Sequence, residues 1–108
     1  MTKIEVNIND DDWTMLCQGH AGFASLGNDI VCAAISTLTQ TLLNHLLDKD
    51  IECDYHIENG YLWIRSKGAE SIKVLDVIMT GLRLVEVSYP QYLKIEKGCT
   101  TESNNPLQ

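Results

Sequence analysis

The sequence predicts an α+β fold: a single two-layer domain in the order ββαββαβ, with two helices packed on one face of a mixed sheet. Three observations predict it. Five short segments alternate apolar and polar residues at the period of two that suits half-buried strands. Two longer segments space their apolar residues at the helical period. Turn residues, above all Asn59-Gly60, punctuate the boundaries between them.

In the first segment Ile4, Val6 and Ile8 alternate with Glu5 and Asn7. The acidic turn Asp10-Asp11-Asp12 follows, and Trp13 to Gln18 then alternates again as an antiparallel partner. Gly19, Gly22 and Gly27 mark the stretch up to Asn28 as a loop. From Asp29 the period changes: Val31, Ile35, Leu38, Leu42 and Leu46 form the apolar stripe of a helix ending near Asp48-Lys49-Asp50. Asn28 or Asp29 would cap its start by accepting a hydrogen bond from an unpaired backbone N–H.

Ile51, Cys53, Tyr55 and Ile57 then share one face of a strand, with Glu52, Asp54 and His56 on the other. Asn59-Gly60 predicts a type I′ hairpin turn, because both residues tolerate positive φ. Tyr61 to Arg65 forms the returning strand, and Ser66 to Gly68 leads into a second helix lined by Ile72, Leu75, Met79 and Leu82. Gly81 inside that helix costs about 1 kcal/mol relative to Ala, which a close approach by a neighbouring element would explain. Ser88-Tyr89-Pro90 stops the helix. Tyr92 to Lys97 gives a last strand with Leu93 and Ile95 inward. Residues 1–97 are thus predicted as the domain, and residues 98–108, polar and containing Pro106, as a disordered tail.

A chain of 108 residues, 44% hydrophobic and 21% charged, suits one domain whose core needs no disulfide or metal staple. Fifteen acidic residues against eight basic ones leave a formal charge of −7. That is the wrong sign for gripping a phosphate backbone, so direct nucleic-acid binding is not expected. A basic peptide or protein is the partner such a surface attracts. No apolar run approaches the roughly 20 residues of a membrane span, and Met1 to Val6 lacks the pattern of a secretory signal. Cys17, Cys32, Cys53 and Cys99 form no CxxC pair and no zinc spacing. They read as free thiols in a reducing cytoplasm.

The chemistry-bearing segment runs from Gly19 to Ser36. It places His20 at a strand end and Cys32 in the first turn of a helix. A thiol reacts as thiolate, which a helix N-terminus stabilises through its free N–H groups and dipole. An imidazole within reach can take the proton and return it to a leaving amine. Cys32 sits at the margin of the apolar stripe, with Ser36 one turn further on, and is expected to open on a cleft. Asp29 could cap the helix, orient His20, or both. Its charge opposes thiolate formation, so no direct contact with Cys32 is expected. Taken alone, a helix cysteine is more often structural than catalytic, and a histidine beside glycines is usually a loop residue.

Gly19-His20-Ala21 followed by Gly27-x-Asp29-Ile30-Val31-Cys32-Ala33-Ala34-Ile35-Ser36 closely resembles the signature of the ribosomal-processing cysteine protease family, Prp. The likeness extends to the ββαββαβ order along nearly the whole chain. Phe23 stands where an aromatic residue, often Tyr, is usual, and Ile35 replaces a frequent Val. The resemblance implies a homodimeric endopeptidase of the bacterial cytoplasm. Its substrate would be the N-terminal extension of a large-subunit ribosomal protein, a basic and apolar peptide that the acidic chain suits. It also implies Cys32 as nucleophile and His20 as general base. Gly19, Asp29 and Ser36 would support the site or contact substrate, and the loop from Ala21 to Asn28, with Gly22, Phe23 and Gly27, would move to admit the peptide. Neither cofactor nor metal is implied.

Other candidates read more simply. Cys17 and Cys53 face the core, and Cys99 is an exposed bystander in the tail. His45 sits near a helix C-terminus, where a cation is mildly favoured, and His56 is a solvated strand residue. Asp10-Asp11-Asp12 lacks the spaced ligands of a calcium loop. Trp13, Tyr61 and Trp63 would form an aromatic patch or seal a dimer. Two alternatives to the endopeptidase are a non-catalytic dimeric module that binds a ribosomal protein or acts in ribosome assembly, and a thiol hydrolase of small acyl or amide substrates.

Overall fold

The structure is a computed structural model that describes residues 1–25 and 27–99. Its elements are β1 (Thr2–Asn9), β2 (Asp12–Gln18), α1 (Ile30–Asp48), β3 (Cys53–Glu58), β4 (Tyr61–Lys67), α2 (Ala69–Ser88) and β5 (Leu93–Cys99). The ββαββαβ order and the two-layer α+β architecture are as predicted. The strands lie in the order β3-β4-β2-β1-β5. β1 and β5 run parallel, and every other pairing is antiparallel, which makes the sheet mixed.

Strand alternation sends one set of side chains toward the helices. Ile4, Cys17, Leu62 and Ile57 share one rung across the sheet, Val6, Met15, Ile64 and Tyr55 the next, and Ile8, Trp13, Ser66 and Cys53 the third. α1 lays Val31, Ile35, Leu42 and Leu46 on this face, and α2 adds Leu75, Ile78, Met79 and Leu82. By length and composition alone α1 could cross a membrane, contrary to the expectation that no apolar run approaches a span. Its buried stripe is instead spent on the core. Gly81 has the predicted explanation: a Cβ there would stand 3.0 Å from Leu38 Cδ2, so the glycine lets the two helices close up.

Four expectations need correction. Asn59-Gly60 is a two-residue turn, but only Gly60 has positive φ (+73°), so it is not type I′. A hydrogen bond from Gly19 N–H to the Gly60 carbonyl, 2.9 Å, ties the turn to the end of β2. Ser66 is not part of a connection: β4 continues through Lys67 because Ser66 faces inward and is buried. There Trp13 Nε1 donates to Ser71 Oγ (2.8 Å), Ser71 Oγ to Ser66 Oγ (2.7 Å), and Ser66 Oγ to the Glu52 carbonyl (2.8 Å). That chain also dissolves the proposed aromatic patch, since Trp13 is buried among the helices while Trp63, paired with Leu16, points to the opposite face. Finally, Gly98 and Cys99 belong to β5 rather than to a tail. The rest of the predicted tail, residues 100–108, lies outside the described residues.

β3 and β5 are the free edges. Tyr55 and Ile57, on the inner face of β3, stay about half exposed (47% and 46%) because the helices leave that margin uncovered. At the other edge Glu86 of α2 accepts a hydrogen bond from the Ile95 backbone N–H at 2.7 Å. This occupies a ladder donor on β5 with a charged side chain, a common protection of an open edge.

Candidate active site

The site is built where β2 ends, α1 begins and the β3–β4 turn comes alongside. Gly19 has φ +92°, and a Cβ there would lie 2.8 Å from the Met1 carbonyl oxygen, so only glycine lets the chain leave β2 here. His20 follows, exposed on the surface. A Cβ on Gly60 would stand 3.0 Å from its Nε2, 3.4 Å from Cε1 and 3.6 Å from Cδ2.

Beyond His20 the loop is anchored at three points. Ala21 is buried in the core. Phe23 packs edge-to-face on Tyr89 and Tyr92, with ring centroids 5.5 and 5.2 Å away. Asp29 closes the loop as the N-cap of α1. Its Oδ1 accepts from the Cys32 backbone N–H at 2.8 Å, and its Oδ2 from Phe23 N–H at 2.9 Å and Ala24 N–H at 3.4 Å. Cys32 is the third residue of the helix, the position an N-cap carboxylate reaches, so a direct Asp29–Cys32 contact does exist, through backbone rather than thiol. Burial tends to raise the Asp29 carboxyl, but the N–H groups of Cys32, Ala24, Phe23 and Val31 outweigh it and hold the group below its ordinary range. Both carboxylate oxygens are engaged by backbone. Asp29 therefore caps the helix and fastens the loop, and among the described residues neither oxygen bonds His20.

Cys32 is half-buried and lines a cavity of about 310 Å³ together with His20. Among the described residues the two share this space with no hydrogen bond between them. Ser36 and Gln40 continue the helix side of the cavity, and Gly19 and Cys17 lie on the β2 side. Burial, with a smaller contribution from the nearby Cys32, pushes the Cys17 thiol up to about 11. Cys17 is thus a protonated wall residue at neutral pH. Cys53 lies elsewhere, beside Asp54 and Arg65, and burial followed by the Asp54 charge raises its thiol as well. His56 pairs with Glu58 at 3.1 Å on the exposed edge strand. Among the described residues no group of three or more His, Cys, Asp or Glu is placed to hold a metal ion.

The third wall of the cavity is the run Ile57 to Leu62, the whole β3–β4 turn. Sequence reasoning missed it. The Asn59-Gly60 signal announces a hairpin but not what the hairpin lies against. That depends on Gln18 pairing with Tyr61, some forty positions away.

The family model described as cysteine protease Prp matches residues 1–94. The chain is 24% identical over 103 residues to the ribosomal processing cysteine protease Prp of Staphylococcus aureus, covering 88% of this chain and 97% of that protein. It is 32% identical over 84 residues to the Prp of Mycoplasma pneumoniae, covering 76% and 84%. The crystal structure of the essential S. aureus Prp with a covalently linked product peptide superposes with a TM-score of 0.80 at 24% identity, over 90% of this chain and 99% of that one. The motif residues, the strand order and these likenesses agree: the chain belongs to the Prp family of cysteine proteases.

Proposed function

We propose that this protein is an endopeptidase that removes the N-terminal extension of a bacterial large-subunit ribosomal protein through a Cys32–His20 dyad. The observation that carries the proposal is the shared cavity: a half-buried thiol in the first turn of a helix and an imidazole at a strand end open on the same space. Its relatives are named as ribosomal processing proteases, and the S. aureus enzyme has been crystallised with substrate and product peptides.

In this mechanism His20 takes the thiol proton and Cys32 Sγ attacks the scissile carbonyl carbon. The tetrahedral intermediate collapses to a thioester as His20 protonates the leaving amine. Water, deprotonated by the same imidazole, then hydrolyses the thioester and restores the thiol. The oxyanion needs backbone donors. The Cys32 N–H is committed to the Asp29 cap, but the Phe23 and Ala24 N–H groups are held by the other Asp29 oxygen, so movement of their loop would both admit the peptide and free donors. Gly22 and Gly27, both at positive φ, give the loop that freedom, and Ser36 and Gly19 contact or support the bound peptide.

The acidic surface suits a basic extension. The enzyme works in the cytoplasm as a homodimer. In support of the dimer, Val77, Leu84 and Val87 are 69%, 67% and 78% exposed on one outward stripe of α2, a pattern that favours burial against a second copy.

The test is mass spectrometry of a large-subunit ribosomal protein carrying its extension, incubated with wild type or Cys32→Ala. One cut by wild type alone establishes the protease and its nucleophile. Cutting by both moves the nucleophile elsewhere, and binding without cutting by either favours a docking module.

A further inference from the structure

We propose that Gly60, at the tip of the β3–β4 turn, is a positioning residue for the His20 imidazole: a seat that holds the ring's orientation and tolerates no side chain. The inference rests on the dyad proposed above and adds to it a residue from a different part of the chain.

Three observations converge on Gly60. It has φ +73°, in the left-handed region that favours glycine. Its carbonyl accepts the Gly19 N–H at 2.9 Å, which fastens the turn to the residue immediately before His20. Its Cα faces the imidazole edge-on, because a Cβ would lie nearest Nε2 (3.0 Å), then Cε1 and Cδ2. A contact at 3.0 Å is closer than a methyl group can sit without displacing its neighbour, and here the neighbour is the proposed base. The backbone tie sets where His20 leaves β2, and the missing side chain sets how far its ring can turn toward the hairpin.

The same hairpin lines the cavity that Cys32 lines, through Ile57, Tyr61 and Leu62. Pushing the ring off its seat therefore changes its approach to the thiol. The 3.0 Å contact asks the ring to give by a few tenths of an ångström, and since a misplacement of about 1 Å can lose on the order of 100-fold in rate, a loss of several-fold follows.

Two substitutions separate strain from displacement. Gly60→Ala introduces both a methyl and an unfavourable φ. Gly60→Asn is the cleaner probe, because Asn adopts the left-handed region more readily while still placing a Cβ against the ring. The full-length protein is compared as wild type, Gly60→Asn, His20→Ala and the double variant, with folding checked by circular dichroism. The readouts are kcat and KM for extension cleavage and the rate of Cys32 alkylation by iodoacetamide at neutral pH.

Gly60→Asn is expected to lower kcat by roughly 3- to 10-fold with little change in KM, and to slow Cys32 alkylation. In the His20→Ala background the same substitution is expected to do nothing further, the signature of two residues acting through one path. Wild-type kinetics for Gly60→Asn, or equal losses in both backgrounds, would overturn the seat while leaving the dyad standing. A silent His20→Ala overturns both.

Discussion

Asp29 holds the backbone N–H of Cys32 at 2.8 Å with one carboxylate oxygen, while its other oxygen holds the N–H of Phe23 at 2.9 Å. One side chain thus starts the helix that carries the thiol and ties down the loop beside it. It also puts a negative charge at the helix end whose dipole would otherwise favour a thiolate. Stability and reactivity are set against each other at this residue.

Replacing Asp29 by Asn keeps a good N-cap and removes the charge. Cys32 should then be alkylated faster at neutral pH, as iodoacetamide kinetics would show. Acid unfolding reports the same residue. Its carboxyl lies below the ordinary value in the fold, so its stabilising contribution is full above the ordinary carboxyl range and is lost as pH falls through the lowered value. Asp29→Asn should flatten that part of the acid limb of the Tm–pH curve, and an unchanged limb would contradict the assignment.

The three described free thiols should label in a fixed order. Cys17, pushed up to about 11, carries roughly one thiolate per thousand molecules at pH 8, so Cys32 should react first and Cys17 last. Because the folded-state value of Cys17 is raised, the stability it confers is full below 9.0 and is lost as pH climbs toward 11. Cys17→Ala should remove that alkaline loss while lowering stability at neutral pH through the small cavity it leaves.

Ser71→Ala should damage the fold and spare the chemistry. It strands the buried Trp13 Nε1 and breaks the chain through Ser66 to Glu52, a cost of about 1–3 kcal/mol. Thermal melts should fall by several degrees, with the Cys32 alkylation rate unchanged at 25 °C.

Gly81→Ala sets a gain of about 1 kcal/mol in helix propensity against the crowding of Leu38, whose Cδ2 would be 3.0 Å from the new methyl. In wild type the substitution should be near neutral. In a Leu38→Ala background it should recover most of the propensity gain. Equal effects in both backgrounds would mean that Leu38 is not the constraint.

Much of this molecule was legible in its sequence, because strand alternation and the helical stripe are local properties. Val31, Ile35, Leu42 and Leu46 are buried where the helical period put them, and of the two caps the sequence offers, Asn28 and Asp29, it is Asp29 that caps. What escaped depends on partners distant along the chain. Trp13 gave no local sign that it would donate to Ser71, and Ser66 looked like a linker until its neighbours gave it hydrogen-bond partners. In the same way Asn59-Gly60 read as a free-standing hairpin turn, yet its backbone is tied to Gly19. The candidate site divides along that line. Its motif, from Gly19 to Ser36, spans one local loop and was readable, whereas the wall from Ile57 to Leu62 arrives only through the sheet.

The parallel pairing of β1 with β5 also bears on how the molecule is made. Thr2 lies opposite Leu93, about ninety positions later in the chain, a contact of the slow, long-range kind. During synthesis β1 can pair with β2 almost at once, yet its other side stays bare until nearly all of the domain has emerged. Over that interval the β1 edge beside Ile4 and Val6 is open to other chains. A newly made molecule therefore passes through a stage in which its first strand is half-paired, and chaperone demand should be greatest there.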